Sequence, residues 1–116
     1  MKETAGQGES YFVGWDGRPR RQLFPGVRIA VISGERLMLS RVELDPGAVV
    51  PEHQHPHEQF GHVLEGDAEF TIAGETRHLG TGDYYAIPGG VPHKVVTGTR
   101  GAVCLDIFSP PRDEYR

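Results

Sequence analysis

With 116 residues, the chain has room for one domain with its own hydrophobic core and no room for two. Its net charge of −4, spread along the sequence, argues against nucleic acid as a partner, and no apolar run approaches the roughly 20 residues that would carry a helix across a bilayer. Cys104 is the sole cysteine, which excludes an internal disulfide and fits a reducing cytoplasm, and the polar N-terminus lacks the apolar core of a signal peptide.

Residues 1–25 read as an N-terminal arm, disordered over about the first ten and with Tyr11, Phe12 and Trp15 available to dock as an edge strand. The body of the domain runs over 26–116 and includes the C-terminal tail. Val27, Ile29 and Val31 alternate with Arg28 and Ala30, the pattern of a half-buried strand. Ser33-Gly34-Glu35 is a turn, Leu37–Leu44 a second strand, and Asp45-Pro46-Gly47 closes it. After a histidine-rich stretch, Phe60–Gly66 and Ala68–Ala73 read as two strands joined at Glu65-Gly66-Asp67. Short strands follow at Thr76–Leu79, Tyr84–Ile87, Val91–Thr97 and Ala102–Phe108, separated by Gly- and Pro-containing turns. Pro110 and Pro111 keep the tail out of a sheet. No segment beyond about ten residues holds a helical period without Gly or Pro, so the fold class is all-β, a sandwich or barrel.

The chemistry concentrates in Gly47–Gly66, which holds four of the six histidines. Side chains two apart on an extended strand share a face, so His53 and His55 can approach one ion, and His93 is the best further ligand. Gln59 follows His55 by four and offers a neutral carbonyl oxygen, whereas Glu58 turns to the opposite face. His57 has the right parity to approach but reads more simply as an outward loop residue; His62 and His78 read as lying outside the pocket.

Two motifs carry a resemblance to the cupin superfamily. Gly47, His53, His55, Gln59 and Gly66 match the pattern G-x5-H-x-H-x3,4-E-x6-G, with Gln at the Glu position; Gly82, Pro88 and His93 match G-x5-P-x4-H-x3-N, with Thr97 at the Asn position. The match covers about residues 26–109 and implies a single-domain jelly-roll β-barrel with one divalent transition metal ion (Ni, Zn, Mn, Fe or Co) held by His53, His55, Gln59 and His93. With a neutral amide in place of a carboxylate, the ion would keep its full charge and attract anions.

The ending Asp106-Ile107-Phe108-Ser109-Pro110-Pro111-Arg112, together with HxHPHEQ and VLEG, resembles the small cupins of pectin and alginate breakdown, which convert 4,5-unsaturated uronates to an open-chain keto form. The resemblance implies Asp106 as general acid/base, Phe108 as a pocket wall, Arg112 as a clamp on the substrate carboxylate, and a small anionic sugar as partner. Lys94 and Arg41 are alternative carboxylate partners. Strand parity alone leaves Asp106 open. Val103, Leu105 and Ile107 form an apolar face that is either the core, with Asp106 in water, or an outer face covered by a second subunit in a homodimer, with Asp106 inside the barrel. Other functions of the scaffold, a dioxygenase, another isomerase or a non-enzymatic binder of small anions, stand as alternatives.

Overall fold

A computed structural model describes residues 11–116. Among them are eight antiparallel strands: β1 (Arg21–Phe24), β2 (Val27–Ser33), β3 (Met38–Leu44), β4 (Val49–His53), β5 (Glu58–Ile72), β6 (Glu75–Gly80), β7 (Tyr84–Ile87) and β8 (His93–Ser109). One turn of 3-10 helix, Asp113–Tyr115, ends the tail. The disorder expected over 1–10 lies outside the described residues. Tyr11, Phe12 and Trp15 fall in turns and irregular chain, and Arg21–Phe24 forms the edge strand beside β2.

Strands β5 and β8 are the long staves of the barrel. β8 pairs with β3 through Ala102–Phe108 and with β4 through its first residues, while β5 runs beside it from Glu58 opposite Ser109 to Ile72 opposite His93. All eight strands thus form one continuous sheet whose two ends make layers, β1-β2-β3-β8-β5-β7 and β4-β8-β5-β6, that share β5 and β8. Laid over one another, these make an all-β barrel of the jelly-roll kind. Val27, Leu44, Val63, Phe70, Ile87 and Cys104 fill the space between them.

Two expected breaks are continuous strand instead. Glu65-Gly66-Asp67 does not end a strand: the register slips there and β5 bends onward. Val91–Thr97 and Ala102–Phe108 likewise join in the 17-residue β8. The glycines explain both. Gly66 (φ +73°) and Gly101 (φ +69°) adopt the left-handed region where β5 crosses β8 closely. A Cβ on Gly66 would stand 2.1 Å from the Gly101 carbonyl oxygen. Here glycine marks a bulge and a backbone crossing, not a reversal.

The parity of β8 is decided as well. Cys104, Asp106 and Phe108 face the barrel interior and are buried, whereas Ile107 is 36% exposed and Val103 and Leu105 are half-buried. The simpler reading, with Asp106 in water, is overturned. Register is the reason: Asp106 sits between Gly61 of β5 and Ser40 of β3, in a row that lines the cavity.

Candidate metal centre

His53 ends β4 and pairs in register with His93, the first residue of β8. His55 lies two residues beyond the end of β4, so a loop, rather than the alternation of a strand, delivers its ring. The three rings nevertheless converge: one nitrogen from each lies within 4.8 Å of the others, and ring centroids are 4.2 Å (His53–His93), 4.9 Å (His55–His93) and 5.8 Å (His53–His55) apart.

Hydrogen bonds orient all three rings the same way. His53 Nδ1 faces the Pro51 carbonyl at 2.9 Å, His55 Nδ1 the His57 carbonyl at 3.1 Å and His93 Nδ1 the Val91 carbonyl at 2.9 Å. A carbonyl only accepts, so each Nδ1 carries the proton and each Nε2 presents a lone pair. Among the described residues, His93 Nε2 is buried without a partner. Burial pushes the His93 pKa down to about 4 and lowers that of His55 as well, so both are neutral at neutral pH, the form that binds metal.

His55 Nε2 lies 3.0 Å from Gln59 Oε1. A neutral His55 cannot donate to both the His57 carbonyl and the Gln59 oxygen. With Nδ1 committed to the carbonyl, Nε2 and Oε1 are two acceptors side by side. A cation between them resolves the conflict, because two ligand atoms each about 2.1 Å from an ion at right angles are about 3.0 Å apart. The residues present thus fit a divalent ion.

Gln59 is buried and its orientation is set from behind. Asp106 accepts hydrogen bonds from the Tyr85 hydroxyl and from the Gln59 side chain. A carboxylate takes the amide NH2 and so turns Oε1 toward His55. Burial raises the Asp106 pKa to about 6, with Tyr85, Gln59 and Arg112 acting in the opposite direction. Burial also pushes the neighbouring Cys104 thiol up to about 12, which leaves it inert as a nucleophile.

A cavity of about 360 Å³ opens onto this cluster, lined by His53, Gln59, His93, Asp106, Phe108 and Arg112 among others. That is in the size range of small-molecule sites. Arg112 is 9% exposed; its guanidinium lies 4.2 Å from the centroid of Tyr115 and 5.3 Å from that of Phe108, and Nη2 donates to Glu114 at 3.3 Å. Arg112 Nε is buried without a partner among the described residues. Six of the seven residues singled out in the sequence line this space, and the seventh, His55, stands in the ring cluster beside it. Lys94 also lines it, but Arg41 is tied to Glu43 at 2.6 Å. His57 packs beside His55 outside the three-ring cluster, His62 stacks on Tyr84, and His78 pairs with Asp67. Sequence reading missed Tyr85, Ser40 and Tyr115. Inward parity in Tyr84–Ile87 was the one available sign of Tyr85, and nothing marked Ser40 or Tyr115.

Comparison with known proteins places the site in context. The Cupin domain family matches residues 40–108. The chain is 36% identical over 107 residues to the pectin degradation protein KdgF of Dickeya dadantii, spanning 90% of this chain and 96% of that one. The structure of KdgF from Halomonas sp. superposes with a TM-score of 0.83 at 32% identity, over 92% of this chain and 98% of that one. An RmlC-like cupin from Shewanella frigidimarina superposes with a TM-score of 0.87 at 26% identity over the whole of both.

Proposed function

The chain belongs to the cupin domain family, and from that premise we propose that its site converts 4,5-unsaturated uronate monosaccharides to their open-chain keto form. The observation that carries this reading is the meeting, around one cavity, of a proton-transfer group, a ring-stacked guanidinium and a cation-shaped nest of neutral ligands. The name of the Dickeya relative, a pectin degradation protein, supports it.

His53, His55, Gln59 and His93 would hold one divalent ion. When bound, it supplies a positive charge that stabilises negative charge developing on substrate oxygens. The remaining work falls to the chain. Arg112 presents a rigid planar donor edge, steadied by Phe108 and Tyr115, and binds the substrate carboxylate. Asp106 removes the proton of the C1 hydroxyl. The C1 carbonyl forms, the bond from C1 to the ring oxygen breaks, and its electron pair becomes the enolate at C5. Asp106 then gives its proton to C4, leaving the C5 ketone. One proton moves and nothing is oxidised or lost. A pKa near 6 suits a group that must both take and return a proton near neutrality. Phe108 shapes the wall beside His55.

The outward row Ala86, Phe60, Ile107 and Leu39 crosses four adjacent strands, with Phe60 52% exposed. This apolar face fits a second copy of the chain, so the working form is a homodimer; a monomer by sedimentation at micromolar concentration would count against it. No helix among the described residues is long and apolar enough to cross a membrane. The lone buried cysteine is in keeping with a cytoplasmic enzyme.

The test is to add purified, metal-analysed protein to freshly lyase-generated unsaturated uronate and follow loss of the enol absorbance. The reading requires decay faster than the spontaneous rate and lost on chelation. Equal rates with and without metal-loaded protein would sink it.

A further inference from the structure

Asp106 does not set its own orientation. Its row across the barrel runs Tyr85 of β7, Gly61 of β5, Asp106 of β8 and Ser40 of β3, each opposite the next. Tyr85 and Asp106 are thus separated by a whole strand, yet the Tyr85 hydroxyl donates to Asp106 Oδ1. Only the missing side chain at Gly61 permits this. A Cβ there would lie 2.0 Å from both Cε2 and Cζ of the Tyr85 ring and 2.4 Å from its oxygen. The ring lies directly over the β5 backbone, and Phe70 packs against it at 4.5 Å between centroids. Gly61 has no need of a left-handed backbone, since it is not among the positive-φ glycines. Its glycine is explained by the passage of the ring.

We infer that Tyr85 is a positioning residue for Asp106, its hydroxyl carried across the gap at Gly61 to hold one carboxylate oxygen and so fix the direction of the carboxylate in the cavity. The inference rests on the ketonisation reading, because it gives Asp106 a proton to move. Ser40 bounds the far side of the carboxylate, and its buried hydroxyl has no partner among the described residues. Tyr85 therefore supplies the hydrogen bond that fixes Oδ1, with Gln59 as the second donor from the metal side.

Tyr85→Phe removes the hydroxyl and keeps the ring over Gly61. The expected result is a cooperatively folded protein with wild-type metal content, KM within about twofold of wild type and kcat lowered by about ten- to a hundredfold, the loss that follows from letting a reacting group drift. Gly61→Ala, which displaces the ring, should lower kcat in the same way. A residue that only filled the core would move stability and leave kcat, measured below the melting temperature, where it was. The inference is overturned if folded Tyr85→Phe keeps kcat within about twofold. It is equally overturned if the loss tracks lost metal, or if the variant no longer unfolds cooperatively, which makes Tyr85 a packing residue. Failure of the underlying reading shows differently: wild-type protein itself would not accelerate decay of the uronate, and the inference falls with it.

Discussion

Replacing Gln59 with Glu separates the metal-free and metal-loaded states of the site. Gln59 and Asp106 are 6% and 8% exposed, and the Gln59 side chain hydrogen-bonds to the carboxylate. In Gln59→Glu, that donor becomes a second carboxyl. Two carboxylates about 4 Å apart at an effective dielectric of 20 repel by about 4 kcal/mol, so one takes up a proton and the pair shares it. At pH 7 the unfolded chain lacks that proton, so folding of the metal-free variant must take it up, a cost of about 1.5–3 kcal/mol net of the hydrogen bond the pair shares. At roughly 4 °C per kcal/mol for a domain of this size, the melting temperature of chelator-treated protein falls by about 6–12 °C. Zinc reverses the sign, because a carboxylate binds a divalent ion more strongly than an amide oxygen and frees the shared proton. The gap between the zinc-loaded and chelated melting temperatures should therefore widen relative to wild type. Turnover should fall although the ion is held more tightly, since the added carboxylate neutralises part of its charge. Thermal unfolding followed by circular dichroism, with and without zinc, measures the gap. A chelated variant that melts within about 2 °C of wild type refutes the Gln59–Asp106 coupling.

Acid stability of the metal-free protein should fall only gently between pH 6 and 4.5 as far as the site is concerned. His93, lowered to about 4 from 6.5, and His55, also lowered, lose stability as pH falls through this window; Asp106, raised to about 6 from 3.8, gains it and offsets part of that loss. Asp106→Asn removes the compensation and should lose on the order of 2 kcal/mol more than wild type over those pH values, read from urea midpoints; parallel profiles would contradict the opposed shifts. Gly66→Ala combines a left-handed backbone with a 2.1 Å approach to the Gly101 oxygen, whereas a Cβ on Gly74 (φ +80°) meets nothing within 4 Å. The first should cost about 3 kcal/mol or more and the second about 1–2 kcal/mol, and equal urea midpoints would rule out the close crossing. Arg112→Lys gives up the planar edge stacked between two rings and should raise KM for the uronate about tenfold with kcat little changed. An unchanged KM would take Arg112 out of carboxylate binding.

The three-histidine cluster was legible because its spacing survives in the linear sequence: His53 and His55 stand close together, and His93 follows in a second glycine–proline frame. The barrel was legible from strand alternation and turns. What escaped depends on register between distant strands. Nothing local to Tyr84–Ile87 says that Tyr85 lies level with Gly61 and Asp106, because that alignment is fixed by pairing across residues more than 20 apart. Asp106 was ambiguous for a related reason. An apolar outer face on β8 mimics a core face until the neighbouring strands are known. Gly66 misled because turns and bulges both use glycine at positive φ, and only the approach of Gly101 distinguishes them.

The register pairing of His53 with His93 carries a consequence for the order of folding. The hairpins β2–β3 and β5–β6 close over short loops and can form early. The pairing of β4 with β8 spans about forty residues and that of β3 with β8 about sixty to seventy, so β8 docks over the longest loops, the slow step in a chain of this topology. Until β8 zips along both neighbours, no ion can meet all three rings. Metal capture by the proposed site would thus report closure of the barrel, and a stopped-flow metal indicator would time the last stage of folding and not the first.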